Sequence, residues 1–348
     1  MTISSNEKLS QLNWVRAIAA FLVVGYHCEI TMALPTYFGF GVLPFFKSGH
    51  TGVQLFFVLS GFVVFLAHSR DRERDWNVLS MFAFKRFRRI YPPLWIVLLP
   101  LTVMLVAGIG ATIPTTYDVV GAFLILPVQN EVILGTEWTL RHEILFYLLF
   151  ALFLWDRRLG LAILLAWAVV GSAVAVFSDQ HWLIEFLLSP NHLLFLSGMG
   201  IAWVYLRGDL PAGVPVLAAG LTVFAASYAL SLKMPLDADL SILMFGAGAS
   251  GIIYGLAALK RLNRPVAWMD AAGASSYALY LIHYPLISML LKLNKRLSGK
   301  IELNPYLCFL IIIVTCYCAA WAFHRWLEKP AIAMASSMWR RPPVAEAV

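Results

Sequence analysis

The stretch Asn13–Ile30, "NWVRAIAAFLVVGYHCEI", is apolar enough to lie in hydrocarbon, yet it holds Arg16 and His27. Eleven positions at 100° each make three turns plus about 20°, so both side chains leave one face of a helix, about 16 Å apart along its axis. An ionisable group inside a membrane segment is a functional candidate by default. A guanidinium grips an anion such as a phosphate, and an imidazole titrating near neutrality moves a proton. One helix face thus offers an anion grip at one end and an acid–base group deeper in. The competing account has Arg16 snorkelling to headgroups and His27 hydrogen-bonded to a neighbouring helix. Glu29, two residues on, faces roughly the other way and does not easily reach His27 from the same helix.

Three further stretches carry polar groups of similar promise. "MFAFKRFRRIYPPLW" sets Lys85, Arg86, Arg88 and Arg89 at a membrane entrance. Arg86 and Arg89, three apart, are neighbours on a helix and suit phosphates through charged, forked hydrogen bonds, although plain positive anchoring explains them too. "GTEWTLRHEILFYLLF" pairs Glu137 with Arg141 at i, i+4 and stacks Glu143 over Tyr147 one turn away. Glu143 there suits orienting a histidine, pairing an arginine or binding a sugar hydroxyl. "GASSYALYLIHYPLI" aligns Ser276, Tyr280, His283 and Tyr284 by steps of three and four, a polar stripe that implies a water-accessible cavity. For His283 alone, an interhelical hydrogen bond is the simpler reading. Trp138, Tyr147, Tyr280 and His283 are the candidates for lining that cavity or meeting an acceptor. Ser60 and Gly61 in "TGVQLFFVLSGFVVF" lack a G-x-S-x-G elbow and read as small residues that let helices approach, as do Gly251 and Gly255.

The elements that position these residues must be membrane helices. Of 348 residues 60% are hydrophobic and only 13% charged, where a soluble domain carries about a quarter charged. An all-α, polytopic membrane bundle is expected, with about ten transmembrane helices over 12–34, 50–68, 90–109, 137–155, 159–177, 184–205, 213–232, 240–259, 274–293 and 305–327. The apolar part of 110–136 is too short to span and is expected to be a half-helix or re-entrant. On this map eighteen lysines and arginines flank the N-terminal side and six the other, so both termini are expected in the cytoplasm. Residues 1–330 form the membrane domain, and 331–348, ending "RRPPVAEAV", are expected to be a disordered cytoplasmic tail. The N-terminus has no signal-peptide pattern, so the first span reads as a retained anchor. The net charge of +7 is scattered among short loops, which fits contact with anionic lipid and excludes the basic stripe of a nucleic-acid binder. The four cysteines fall in apolar runs without metal-ligand spacing and read as buried free thiols, with no metal implied.

In chain order, Arg16-x10-His27, "FFVLSGF" (56–62), "KRFRRIYP" (85–92), "EWTLRHEILFY" (137–147), "GASSYALYLIHYP" (273–285) and "HRWLEKP" (324–330) resemble the motifs of the acyltransferase-3 family. These are integral membrane enzymes that O-acylate extracytoplasmic carbohydrates. Thr139 stands at a usual serine, and Arg141-His142 replaces a more neutral pair before Glu143. The resemblance implies an acyl-CoA donor, commonly acetyl-CoA, arriving from the cytoplasm, and a sugar or polysaccharide acceptor on the far side. It also implies a multi-pass protein of the bacterial inner (plasma) membrane. In that setting Arg16, Arg86 and Arg89 would hold the donor, and His27 would act as general base with Glu143 orienting it or stabilising its protonated form. An acyl-enzyme on His27 is the alternative chemistry. A transporter or flippase of a lipid-linked glycan is the alternative function.

Overall fold

Apolar runs in hydrocarbon fold as helices because each backbone N–H then finds its partner inside the segment. The computed structural model of the chain describes residues 9–110, 112–130, 132–174, 181–208, 210–259, 264–298 and 303–338, and these contain helices, turns and connections without a strand. The helices are α1 (Ser10–Met32), α2 (Gly52–His68), α3 (Trp76–Val106), α4 (Thr116–Leu124), α5 (Trp138–Trp155), α6 (Arg157–Val174), α7 (Trp182–Leu187), α8 (Asn191–Leu206), α9 (Gly213–Lys233), α10 (Ala238–Ala258), α11 (Ala267–Ala274), α12 (Ser276–Leu297), α13 (Pro305–Phe323) and α14 (Lys329–Met338). A 3-10 helix, Pro44–Thr51, leads into α2, and a π-helical turn, His324–Glu328, joins α13 to α14.

Among the described residues eight helical stretches are long and apolar enough to cross a membrane, and a ninth if α11 and α12, bent by 65°, count as one span. The expectation was about ten. The remaining expected span, 159–177, begins as α6, and 175–177 lie outside the described residues. The segment 110–136 contains only the nine-residue α4, about 14 Å long and far short of a bilayer. A reciprocal Thr115–Asp118 capping box starts that helix, and Ile125 in the left-handed region ends it.

Two boundaries differ from expectation. The helix expected at 90 starts at Trp76, capped by Asp75, so the arginine cluster sits inside α3 rather than before it. Residues 331–338, expected in a disordered tail, are instead part of α14. "AIAMASSM" is rich in helix formers, and α14 lies along α3, where Arg88 donates to the Ser336 hydroxyl at 2.7 Å. Residues 339–348 lie outside the described residues.

α1 is the hub, touching α2, α10, α11, α12 and α13. Its neighbours come close where glycine allows. A Cβ on Gly61 of α2 would lie 2.0 Å from the Phe195 carbonyl oxygen of α8, and one on Gly198 2.0 Å from that of Val58. Gly251 and Gly255 of α10 pack against Gly220 and Leu217 of α9 in the same way, as expected for a small-residue seam. Phe146 of α5 stacks on Phe195 of α8 with centroids 4.5 Å apart, both fully buried. Leu99, Val103, Leu165, Val169, Leu310 and Val314 stay exposed. That is an apolar surface suited to lipid. Cys28, Cys308 and Cys316 are buried free thiols, but Cys318 is turned outward on α13.

Candidate active site

A cavity of about 110 Å³ opens inside the bundle among α1, α2, α3, α5 and α12. Arg16 reaches it from α1, Arg86 and Arg89 from one face of α3, and Glu143 from α5. Three guanidiniums therefore face one carboxylate. None of the three arginines joins an ion pair among the described residues, and the Arg86 Nε is buried without a partner. Uncompensated positive charge in a low-dielectric setting calls for an anion. The bend between α11 and α12 adds to it. Ser276 and Tyr277, the first residues of α12, lie on the wall, so the positive end of that helix dipole meets the same space.

Glu143 accepts a hydrogen bond from the Ser60 hydroxyl at 3.1 Å and another from the Tyr147 hydroxyl. The i, i+4 stacking of Glu143 over Tyr147 is thus as the spacing predicts. Ser60 differs from expectation: Gly61 makes the close crossing, whereas Ser60 is a polar partner of Glu143. Arg141 and His142 turn elsewhere. Arg141 lies 3.9 Å from Glu137 and donates to the Val128 carbonyl, and His142 packs on Phe57, Trp138 and His192. The unusual charges before Glu143 therefore do not touch it.

Tyr147 and Tyr280 line the cavity, but Trp138 packs against Phe57 and His142 and does not. Tyr280 bonds to the Thr139 hydroxyl and the Thr136 carbonyl, closing the cavity toward α5. Less than one helical turn further on, and 6.0 Å from the Tyr280 ring, is the fully buried His283.

His27 lies beyond that point and is not on the cavity wall. Its Nδ1 is 3.0 Å from the Val23 carbonyl and 3.2 Å from the Nε2 of His283, whose own Nδ1 is 2.9 Å from the Leu279 carbonyl. A carbonyl only accepts, so each neutral ring carries its proton on Nδ1. His283 Nε2 then accepts from His27, and His27 Nε2 keeps a lone pair. The expected interhelical bond of His283 is therefore made to His27 itself. On its other sides His27 meets Tyr26 and Tyr284 at 5.1 and 5.2 Å, and Tyr26 meets the exposed His50. Glu29, as its direction on the helix requires, serves another purpose. Its carboxylate accepts from the backbone N–H groups of Val42 and Leu43 at 2.9 and 2.8 Å and ties the following loop to α1.

Sequence reasoning alone does not single out Tyr277 or the His27–His283 contact. The polar stripe on α12 was the available signal, but which helix it meets is a matter of packing. Among the described residues no group of three or more His, Cys, Asp or Glu is placed to hold a metal ion.

A family model described as an acyltransferase domain matches residues 9–332. Exopolysaccharide production protein ExoZ of Rhizobium meliloti (strain 1021) is 32% identical over 266 residues, covering 71% of this chain and 79% of that protein. Acyltransferase MdmB of Streptomyces mycarofaciens is 28% identical over an alignment of 398 positions, covering 97% and 94%. Peptidoglycan O-acetyltransferase OatA of Listeria monocytogenes is 22% identical over 334 positions, covering 82% of this chain and 50% of that longer protein. No solved structure matches the chain. The match runs through every helix that borders the cavity, from α1 to α12, and the chain belongs to the acyltransferase-3 family.

Proposed function

We propose that this membrane acyltransferase moves an acyl group, acetyl in the first instance, from cytoplasmic acyl-CoA to a hydroxyl of an extracytoplasmic sugar or polysaccharide. The observation that carries the reading is the convergence of Arg16, Arg86 and Arg89 on one cavity with a single carboxylate. Phosphates of CoA suit three guanidiniums and a helix N-terminus. In this reading the thioester, at the end of a long arm, would reach past Tyr280 toward His27 while the phosphates stay with the arginines. A carbohydrate acceptor is supported by two relatives named for exopolysaccharide production and peptidoglycan O-acetylation.

In this mechanism His27 Nε2 takes the proton of the sugar hydroxyl as its oxygen attacks the thioester carbonyl. The C–O bond forms, the C–S bond breaks, and the departing CoA thiolate takes that proton from the imidazolium. Val23 and His283 hold the Nδ1 proton and so keep the lone pair on Nε2, the office of the third group in a catalytic triad. General-base help of this kind is worth about 10²–10⁴ in rate. Glu143, bonded to Ser60 and Tyr147, acts on the arginine cavity rather than by a direct bond to His27.

The direct test is mass spectrometry of surface glycans from cells with and without the protein. One missing acyl group is the expected result. Unchanged glycans, together with glycan movement that consumes no acyl-CoA, would replace this reading with a transporter.

A further inference from the structure

Among the described residues, Arg86 is the one cavity arginine with a polar partner outside the cavity. Its Nη2 lies 3.3 Å from the Nε2 of His68, the last residue of α2, and the Nδ1 of the same ring lies 2.6 Å from Oδ2 of Asp71. A guanidinium has donors only and a carboxylate has acceptors only. One arrangement satisfies both contacts: a neutral His68 that donates from Nδ1 to Asp71 and accepts at Nε2 from Arg86. The ring is nearly fully buried and wedged against Phe82 and Phe150, so it has little freedom to turn.

Asp71 is itself held. Arg157, at the start of α6, donates to the Asp71 carbonyl at 2.8 Å, and its backbone N–H donates to Glu73 at 3.0 Å. Arg74 pairs with Asp156 at 2.6 Å. The loop between α2 and α3 is thereby fastened to the α5–α6 junction, and His68 passes that fixed point on to Arg86. A free arginine side chain carries considerable rotamer entropy, some of which is lost each time a ligand orders it. A guanidinium already held at Nη2 and lying 5.3 Å over the Tyr147 ring loses less.

We propose that His68 is a positioning residue for donor binding: with Asp71 it holds the Arg86 guanidinium in the orientation that meets a phosphate of the acyl-CoA. The inference rests on the reading of Arg86 as donor-binding, and its test separates the two. The measurement is the Kd of acetyl-CoA for detergent-purified full-length protein. His68→Phe keeps the packing on Phe82 and Phe150 and removes the polar relay; it is expected to weaken binding about three- to ten-fold. His68→Gln again offers Arg86 an acceptor and Asp71 a donor, and is expected to recover binding to within about two-fold. In an Arg86→Gln background His68→Phe is expected to add nothing, because the two act as one unit.

Wild-type binding in His68→Phe, equal weakness in His68→Gln, or additive losses in the double variant overturns the proposal. Wild-type binding in Arg86→Gln instead removes the donor reading on which it rests. Should His68→Phe fail to fold, Asp71→Ala, at the partly exposed end of the relay, is read in the same assay. It is expected to weaken binding by a smaller factor, and an unchanged Kd overturns the proposal.

Discussion

At the scale of single residues, the proposed base role of His27 requires one tautomer, and the surroundings of the ring select that tautomer. Val23 and His283 both take the Nδ1 side, so the free lone pair is on Nε2. His27→Ala is expected to lower acyl transfer by at least the 10²-fold that general-base help supplies, with normal membrane yield and gel-filtration profile. Activity within a few-fold of wild type would take His27 out of the chemistry. Glu143 is argued differently. It is the one carboxylate among three guanidiniums, so Glu143→Gln raises the positive charge of the cavity while keeping its shape. Turnover is expected to fall about ten-fold or more, whereas acetyl-CoA binding is held or tightened; unchanged turnover would make Glu143 a packing residue. Arg16, Arg86, Arg89 and Glu143, which border one cavity, were legible as candidates because an ionisable group in an apolar run has few structural excuses; His27, singled out on the same ground, lies off the cavity wall. What Ser60 and His283 bond to was not legible. Their partners are 83 and 256 positions away, and helical spacing encodes only neighbours within one element.

At the scale of elements, the site depends on how closely helices cross and where one of them breaks. Most helices were legible from the length of their apolar runs. The early start of α3, the break before α12 and the continuation into α14 were not, because an apolar run marks only the part of a helix that suits hydrocarbon and misses its polar or short extensions, even where a local cap such as Asp75 begins them. The crossing of α2 and α8 is a direct case. A methyl at Gly61 would meet the Phe195 backbone at 2.0 Å, and backbone at a helix crossing yields less than a side-chain tip. Overpacking of this kind costs about 1–3 kcal/mol or more. Gly61 precedes Phe62 and follows Ser60, the partner of Glu143, so a shift of α2 also moves the cavity wall. Gly61→Ala is therefore expected to lower the midpoint of thermal unfolding in detergent and, in whatever fraction remains folded, to weaken acetyl-CoA binding. A thermal midpoint equal to wild type would mean that the two helices are not pressed together at this point.

At the scale of the whole molecule, the proposed reaction has a direction: donor from one side, acceptor from the other. The arginines lie toward the end of the bundle where α1 begins and the α2–α3 loop sits, while His27 is five residues from the opposite end of α1. The bias of lysine and arginine toward the first of these ends is the basis for proposing, by the positive-inside rule, that this end faces the cytoplasm. Phosphates of CoA then never cross the bilayer, and only an uncharged acyl arm travels inward. This orientation is testable without knowing the acceptor. In a chain whose four native cysteines are replaced by alanine, Arg72→Cys places a thiol in the exposed α2–α3 loop and Phe40→Cys places one in the exposed loop after α1. A membrane-impermeant maleimide added to intact cells freed of any outer barrier is expected to label position 40 and spare position 72, with both labelled after lysis. Labelling of position 72 in intact cells would put the arginine mouth outside. No cytoplasmic thioester would then reach it, and a donor other than acyl-CoA would have to be sought.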